Sequence, residues 1–176
     1  MLIVGAVISG LIIPLITRNW QNRQKSLEIK TNLVSEISQS VMEFFMSVQF
    51  VHLRAEQRQS SQGDVSQEEQ IEFDQAYKTW EVKSAVIGTK LEAYLTESKL
   101  PEAWTTFSNI VTQFYALEGT TEPSLSKNIQ ALGKQISTNF SYKLPENVNW
   151  MQLREAILQC KCIVIKSVLT SRISFN

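Results

Sequence analysis

The stretch LEIKTNLVSEISQSVMEFFMSVQFVHLRA, residues 27–55, decides the fold. Leu27, Val34, Ile37, Val41, Phe44, Val48, Val51 and Ala55 recur in alternating steps of three and four, with Lys30 breaking the first heptad. At 3.6 residues per turn that spacing lines up one apolar seam along a helix. Leu33, Phe45, Phe50 and Leu53 flank the seam and widen it into a face broad enough for a helical bundle. No glycine or proline interrupts the run before Gly63. The reading is a long amphipathic helix with its apolar side against other helices.

Upstream the chemistry changes twice. Residues 18–30 carry Arg18, Arg23, Lys25 and Lys30 against a single acid, Glu28, and Trp20 sits among them. Before this collar, MLIVGAVISGLIIPLIT (residues 1–17) has no charge at all. An apolar run followed by cations reads as a membrane anchor. Its core of about 15 residues gives roughly 22 Å of helix, short of the roughly 30 Å of a hydrocarbon core. Thr17, Asn19 and Trp20 can add a turn, with Trp20 at headgroup depth and Arg18, Arg23 and Lys25 at the membrane interface.

A cleaved signal peptide has its cations before the apolar core, the reverse of the order here. A buried core helix is the other rival, since the run is short. A single span or an in-plane insertion accounts best for the order of charges. The positive-inside rule then places the N-terminus outside and the C-terminal bulk in the cytoplasm, at a cell inner membrane. Gly5 and Ser9, and Ala6 and Gly10, are each four apart, a small-residue pattern that lets spans meet closely. Pro14 cannot donate to the carbonyl of Gly10 and predicts a kink. The expected division is a transmembrane anchor over 1–20 and a cytoplasmic bundle over 21–176.

Downstream, Gln57 to Val65 (QRQSSQGDV) reads as a loop. Ser66 and Glu69 form a capping box for a second helix to about Glu97, with Phe73, Ala76, Trp80, Ile87, Leu91 and Tyr94 on one face and Gly88 as a weak point. Pro101 opens a third helix carrying Trp104, Phe107, Ile110, Val111, Phe114 and Leu117, which Gly119 ends. Pro123 opens a fourth through Ile129, Leu132 and Ile136. Phe140 to Pro145 is a linker with room for one extended segment. The last helix, from about Asn149 to Arg172, is seamed by Trp150, Leu153, Ile157, Cys160, Val164 and Val168. Its segment CIVIKSVLTSRI is rich in β-branched residues, yet it keeps the helical period of what precedes it. The expected fold is all-α: one transmembrane helix continuous with a long amphipathic helix in an antiparallel four- to five-helix bundle.

The chemistry of the body excludes more than it offers. In 176 residues, Lys+Arg and Asp+Glu number 17 each, so no basic field exists to hold nucleic acid. His52 is the single histidine, which leaves di-iron and zinc hydrolase sites without ligands. Cys160 and Cys162 point in different directions on a helix and read as buried free thiols. No phosphate-cradling glycine loop is present. Glu68, Glu69, Glu72 and Asp74 suit a helix start. Arg154, Lys161, Lys166 and Arg172 make the last helix basic, as a solvated face or as a contact for lipid headgroups or an anionic ligand. The chain is therefore read as non-enzymatic, without metal or cofactor.

Pro14, Arg18, Trp20, Gln21, Glu28, Lys30, Leu33 and Ile37 together resemble the start of many short uncharacterised bacterial proteins with an N-terminal membrane span and a cytoplasmic helical bundle. The resemblance implies the anchor and the rod and brings no activity. By analogy of architecture alone, some membrane-anchored helical proteins of this size are pore-forming or membrane-perturbing effectors in bacterial defence. Two expectations follow. One is a homo-oligomer in contact with membrane lipid, its spans meeting through Gly5, Ala6, Ser9, Gly10 and Pro14. Its bundles would meet along Val34, Ile37, Val41, Phe44, Val48 and Val51. The other is a membrane-tethered adaptor whose bundle binds a partner protein.

Overall fold

The computed structural model describes residues 13–59, 67–95, 99–117 and 124–173, with side chains described over 15–50, 71–95, 99–117 and 125–173. The described residues form five helices: α1 (Ile13–Gln59), α2 (Gln67–Tyr94), α3 (Leu100–Ala116), α4 (Ser124–Phe140) and α5 (Trp150–Thr170). They pack as a helical bundle, and no strand occurs among the described residues.

The seam of α1 supplies the centre of the core. Ile37, Val41, Phe44 and Val48 are buried together with Leu33 and Phe45, while Val34 is half-buried against them. These side chains face α2 and α5 of the same chain, so this surface is spent on the bundle and is not free for a second copy. Two expectations for α1 fail. Leu27 and Phe50 are 65% and 55% exposed, so both lie off the buried side of the helix, whereas Ile29 near Leu27 packs against the core. Val51, His52 and Leu53 lie in α1 with side chains outside the described residues. The helix also continues to Gln59, three residues into the segment read as a loop.

Cross-helix contacts give the directions. Glu43 and Glu36 of α1 pair with Lys83 and Lys90 of α2, so these helices are antiparallel. The hydrogen bond from Lys83 is the main reason the Glu43 carboxyl lies below its ordinary value of 4.5, and Gln39 adds to it. Trp80 of α2 donates from its indole N–H to Thr112 Oγ1 of α3 at 3.0 Å, and Tyr115 donates from its hydroxyl to the Phe73 carbonyl at 2.7 Å. Phe44 stacks on both Trp80 and Tyr115, with ring centroids 5.1 and 5.0 Å apart. Stacked pairs of this kind add roughly 0.5–1.5 kcal/mol each beyond the area they bury.

The expectation of a wholly antiparallel bundle needs one correction. Phe107 meets Phe140 and Gln113 meets Gln135, so α4 runs against α3. Arg154 reaches Gln49 while Lys30 reaches Leu169, so α5 runs against α1 and in the same direction as α4. A parallel pair needs a return, and residues 141–149 provide it. Ser141 takes a left-handed φ of 53°, which ends α4 and turns the chain back. The segment then climbs along α4, where the Gln130 side chain grips the backbone of Val148. Its amide donates to the Val148 carbonyl at 3.1 Å, and its oxygen accepts from the Val148 N–H at 3.3 Å. Asn149 then caps α5 in a reciprocal box with Gln152. The expected linker ended at Pro145; the return requires four residues more.

Elsewhere the apolar assignments hold. Trp80, Ile87 and Leu91 are buried, as are the named residues of α3, α4 and α5 save Trp150, which is half-buried and stacks on Phe114 at 4.2 Å. Tyr94 is exposed rather than part of the α2 face. Helix α2 ends at Tyr94, short of the expected Glu97, and α3 begins at Leu100 with Pro101 in its first turn. Ser66, Gly119 and Pro123 lie outside the described residues.

The glycines of α2 and α4 differ in a measurable way. A methyl group on Gly88 would sit 3.4 Å from Cδ1 of Trp104, an ordinary contact. On Gly133 it would approach Cγ2 of Val148 to 3.2 Å, against the return segment. Gly88→Ala is expected to raise stability by about 0.5–1 kcal/mol through lower unfolded-chain entropy. Gly133→Ala should gain less or lose, since Val148 is held by Gln130. Urea denaturation of the two variants compares them directly.

Candidate membrane-facing site

The bundle does not use the whole of α1. Helix α5 ends at Thr170, and Lys30 reaches its last turn by donating from Nζ to the Leu169 carbonyl at 2.8 Å. That carbonyl is one of the acceptors a helix C-terminus leaves without a partner, and a cation there also meets the negative end of the dipole. The Thr170 and Ser171 hydroxyls donate back to the carbonyls of Lys166 and Ser167, the second of which also accepts the Ser171 N–H. From Lys30 back to Ile13, α1 continues as a tip of about 25 Å at 1.5 Å per residue.

The tip has two chemistries. Leu15, Ile16, Trp20 and Leu27 are 60–65% exposed. Each such side chain gains roughly 1.5–3 kcal/mol on full burial, so water is a poor medium for them. The other chemistry follows the core register downwards. Asn19, Arg23, Ser26, Lys30, Leu33, Ile37 and Val41 are spaced four, three, four, three, four and four apart, which puts them on one side of the helix. Above Lys30 that side is apolar and buried; below it the same side is polar.

This polar side and the end of α5 enclose an open groove of about 740 Å³, lined by Ile16, Asn19, Trp20, Asn22, Arg23, Ser26, Lys30 and residues 170–173. Three of its lining residues are cations, Arg23, Lys30 and Arg172, and none is acidic. The described ion pairs, Lys83 with Glu43 and Lys90 with Glu36, lie elsewhere.

The expected interface residues Arg18, Trp20, Arg23 and Lys25 are all exposed. Arg18 and Lys25, seven apart, share one side of α1; Trp20 and Arg23 lie towards the groove. The basic residues of α5 do not form one surface. Arg154 donates to Gln49 Oε1 at 2.8 Å at the far end, whereas Arg172 enters the groove. Glu72 and Asp74 are exposed, and the side chains of Glu68 and Glu69 lie outside the described residues. Among the described residues no group of three or more His, Cys, Asp or Glu could hold a metal ion.

The two thiols part company. Cys160 is buried, and burial pushes it up to about 12; Cys162 is exposed, contrary to the expectation for it.

Gly5, Ala6, Ser9 and Gly10, expected at a span interface, lie outside the described residues. Pro14 lies in α1 without a described side chain, and the kink expected there involves residues beyond those described. Among the described residues no helix is long and apolar enough to cross a membrane. The groove itself is not legible in the sequence, because nothing there places Arg172 on the same groove as Arg23. One signal was available: the seam register continues below Leu33 through polar residues.

The chain matches no family description, no curated protein and no solved structure.

Proposed function

We propose that this protein is a membrane-anchored helical assembly in which residues 1–20 enter the bilayer and α1 carries the bundle at the cytoplasmic face. The observation that carries this reading is the tip of α1, where Leu15, Ile16 and Trp20 face solvent beside Arg18, Arg23 and Lys25. Apolar side chains, an aromatic ring and cations at one level are what a bilayer interface accommodates. Self-association runs through Gly5, Ala6, Ser9 and Gly10 of the anchor, since the α1 seam is buried within its own bundle. In this reading the assembly acts on the membrane, as a pore or a perturbing element, and has no catalytic activity.

Crosslinking in native membranes is expected to give oligomers, and Gly5→Leu with Gly10→Leu to return them to monomer. Only monomer from the unaltered chain would sink the assembly. Recovery in the soluble fraction would sink the anchor itself.

A second reading, a tethered adaptor for a partner protein, is favoured by Met42, Met46 and Phe50. They are spaced four apart and exposed on the outer side of α1. Exchanging residues 1–17 for an unrelated span separates the two: the adaptor keeps its membrane-dependent phenotype, and the assembly loses it.

A further inference from the structure

We propose that the groove between the α1 tip and the end of α5 is a binding site for the phosphate of an anionic phospholipid headgroup. The inference rests on the membrane-anchored reading and adds a ligand to it.

Three observations converge. The chain has a net charge of zero, yet this groove collects Arg23, Lys30 and Arg172 with no carboxylate among its lining residues. Like charges gathered without a counter-charge repel each other, and an anion between them removes that cost. Lys30 is already engaged by the Leu169 carbonyl, which pins the two walls together. That leaves the two guanidiniums, whose planar forks suit phosphate oxygens, with the Asn19 and Asn22 amides as neutral donors.

Location selects the source of the phosphate. Ile16 and Trp20 form one lip of the groove and are exposed. A lipid presents a phosphate with an apolar chain attached, and so matches both the cationic floor and the apolar lip. A free phosphate would use the floor alone. The end of α5 points its dipole's negative pole here, which disfavours anions. Lys30 sets a cation on the Leu169 carbonyl at that pole and offsets part of this.

The test is a titration of the full chain in neutral detergent with dioctanoyl phosphatidylglycerol, dioctanoyl phosphatidylcholine and inorganic phosphate. The anionic lipid is expected to bind at least about tenfold more tightly than the zwitterionic one. Arg23→Gln with Arg172→Gln should weaken it about 30-fold, from roughly one cation's worth of headgroup attraction at each position. Arg18→Gln with Lys25→Gln removes the same charge at positions that do not line the groove and should weaken binding far less. Both pairs are exposed, so folding is not at stake.

Equal losses from the two double variants would overturn the site in favour of a diffuse collar. Inorganic phosphate binding as tightly as the anionic lipid would overturn the lipid assignment. Membrane fractionation of the same proteins keeps the two readings apart. A chain that sediments with membranes but has no headgroup preference refutes the groove alone. A chain that prefers the anionic lipid but stays soluble refutes the anchor alone.

Discussion

Trp104→Ala is expected to lower the unfolding free energy by about 3–5 kcal/mol. The indole is 1% exposed and lies where α2 and α3 meet. Its ring packs against Trp80 at 6.2 Å and Phe107 at 5.7 Å between centroids, and its N–H donates to the Ser84 carbonyl at 2.9 Å. Alanine would leave a cavity bounded by two aromatic rings that are themselves held, Trp80 by Thr112 and Phe107 by Phe140, so collapse into the gap is limited. A domain has roughly 5–15 kcal/mol in total, so the loss is a large share. Trp104→Phe keeps most of the area and forfeits the hydrogen bond, for about 0.5–1.5 kcal/mol on that account. Urea denaturation of the three proteins orders them: a Trp104→Ala loss below about 1 kcal/mol would contradict the packing described.

The second large effect is chemical. With its pKa pushed from 9.0 to about 12 by burial, Cys160 has about a thousandfold less thiolate at pH 8. Cys162, two residues on, is exposed. A disulfide reagent at pH 8 is expected to react rapidly with one thiol per folded chain and with the second far more slowly, or only on unfolding. Adding denaturant should release the second thiol in step with the loss of helical signal. Two thiols reacting at equal rates in the folded protein would contradict the burial of Cys160.

Much of this architecture could be read from residue spacing because helical period and burial coincide. Ile37, Val41, Phe44 and Val48 on α1, and Leu153, Ile157, Cys160 and Val164 on α5, are buried where a 3.6-residue period places them. The β-branched stretch after Cys160 is helical for the same reason: the tertiary face it completes outweighs a local preference for strand. The direction of α5 was not readable. Period has no sign along an axis, and only the Ser141 turn with the Gln130 grip on Val148 sets the two last helices parallel. Exposure at the margins also escaped, since Leu27 and Phe50 are apolar and sit near the seam. Whether a neighbour covers them depends on how α1 is rotated. Of the groove, Arg23 is readable as an interface cation, but no local pattern encodes that it shares the groove with Arg172, 149 positions on.

The unbroken course of α1 has a mechanical consequence. One helix of 47 residues, about 70 Å long, is at once the tip with Trp20 and the spine on which α2 and α5 pack. Lys30, clasped to the end of α5, marks the level where the tip gives way to the bundle. A 10° tilt of the tip about that point swings Gln59, about 44 Å away, through roughly 8 Å. With α2 and α5 fixed to the arm, the bundle would move as one body. A small reorientation at the cationic end therefore becomes a displacement of side-chain size at the opposite end, with no hinge in between to absorb it.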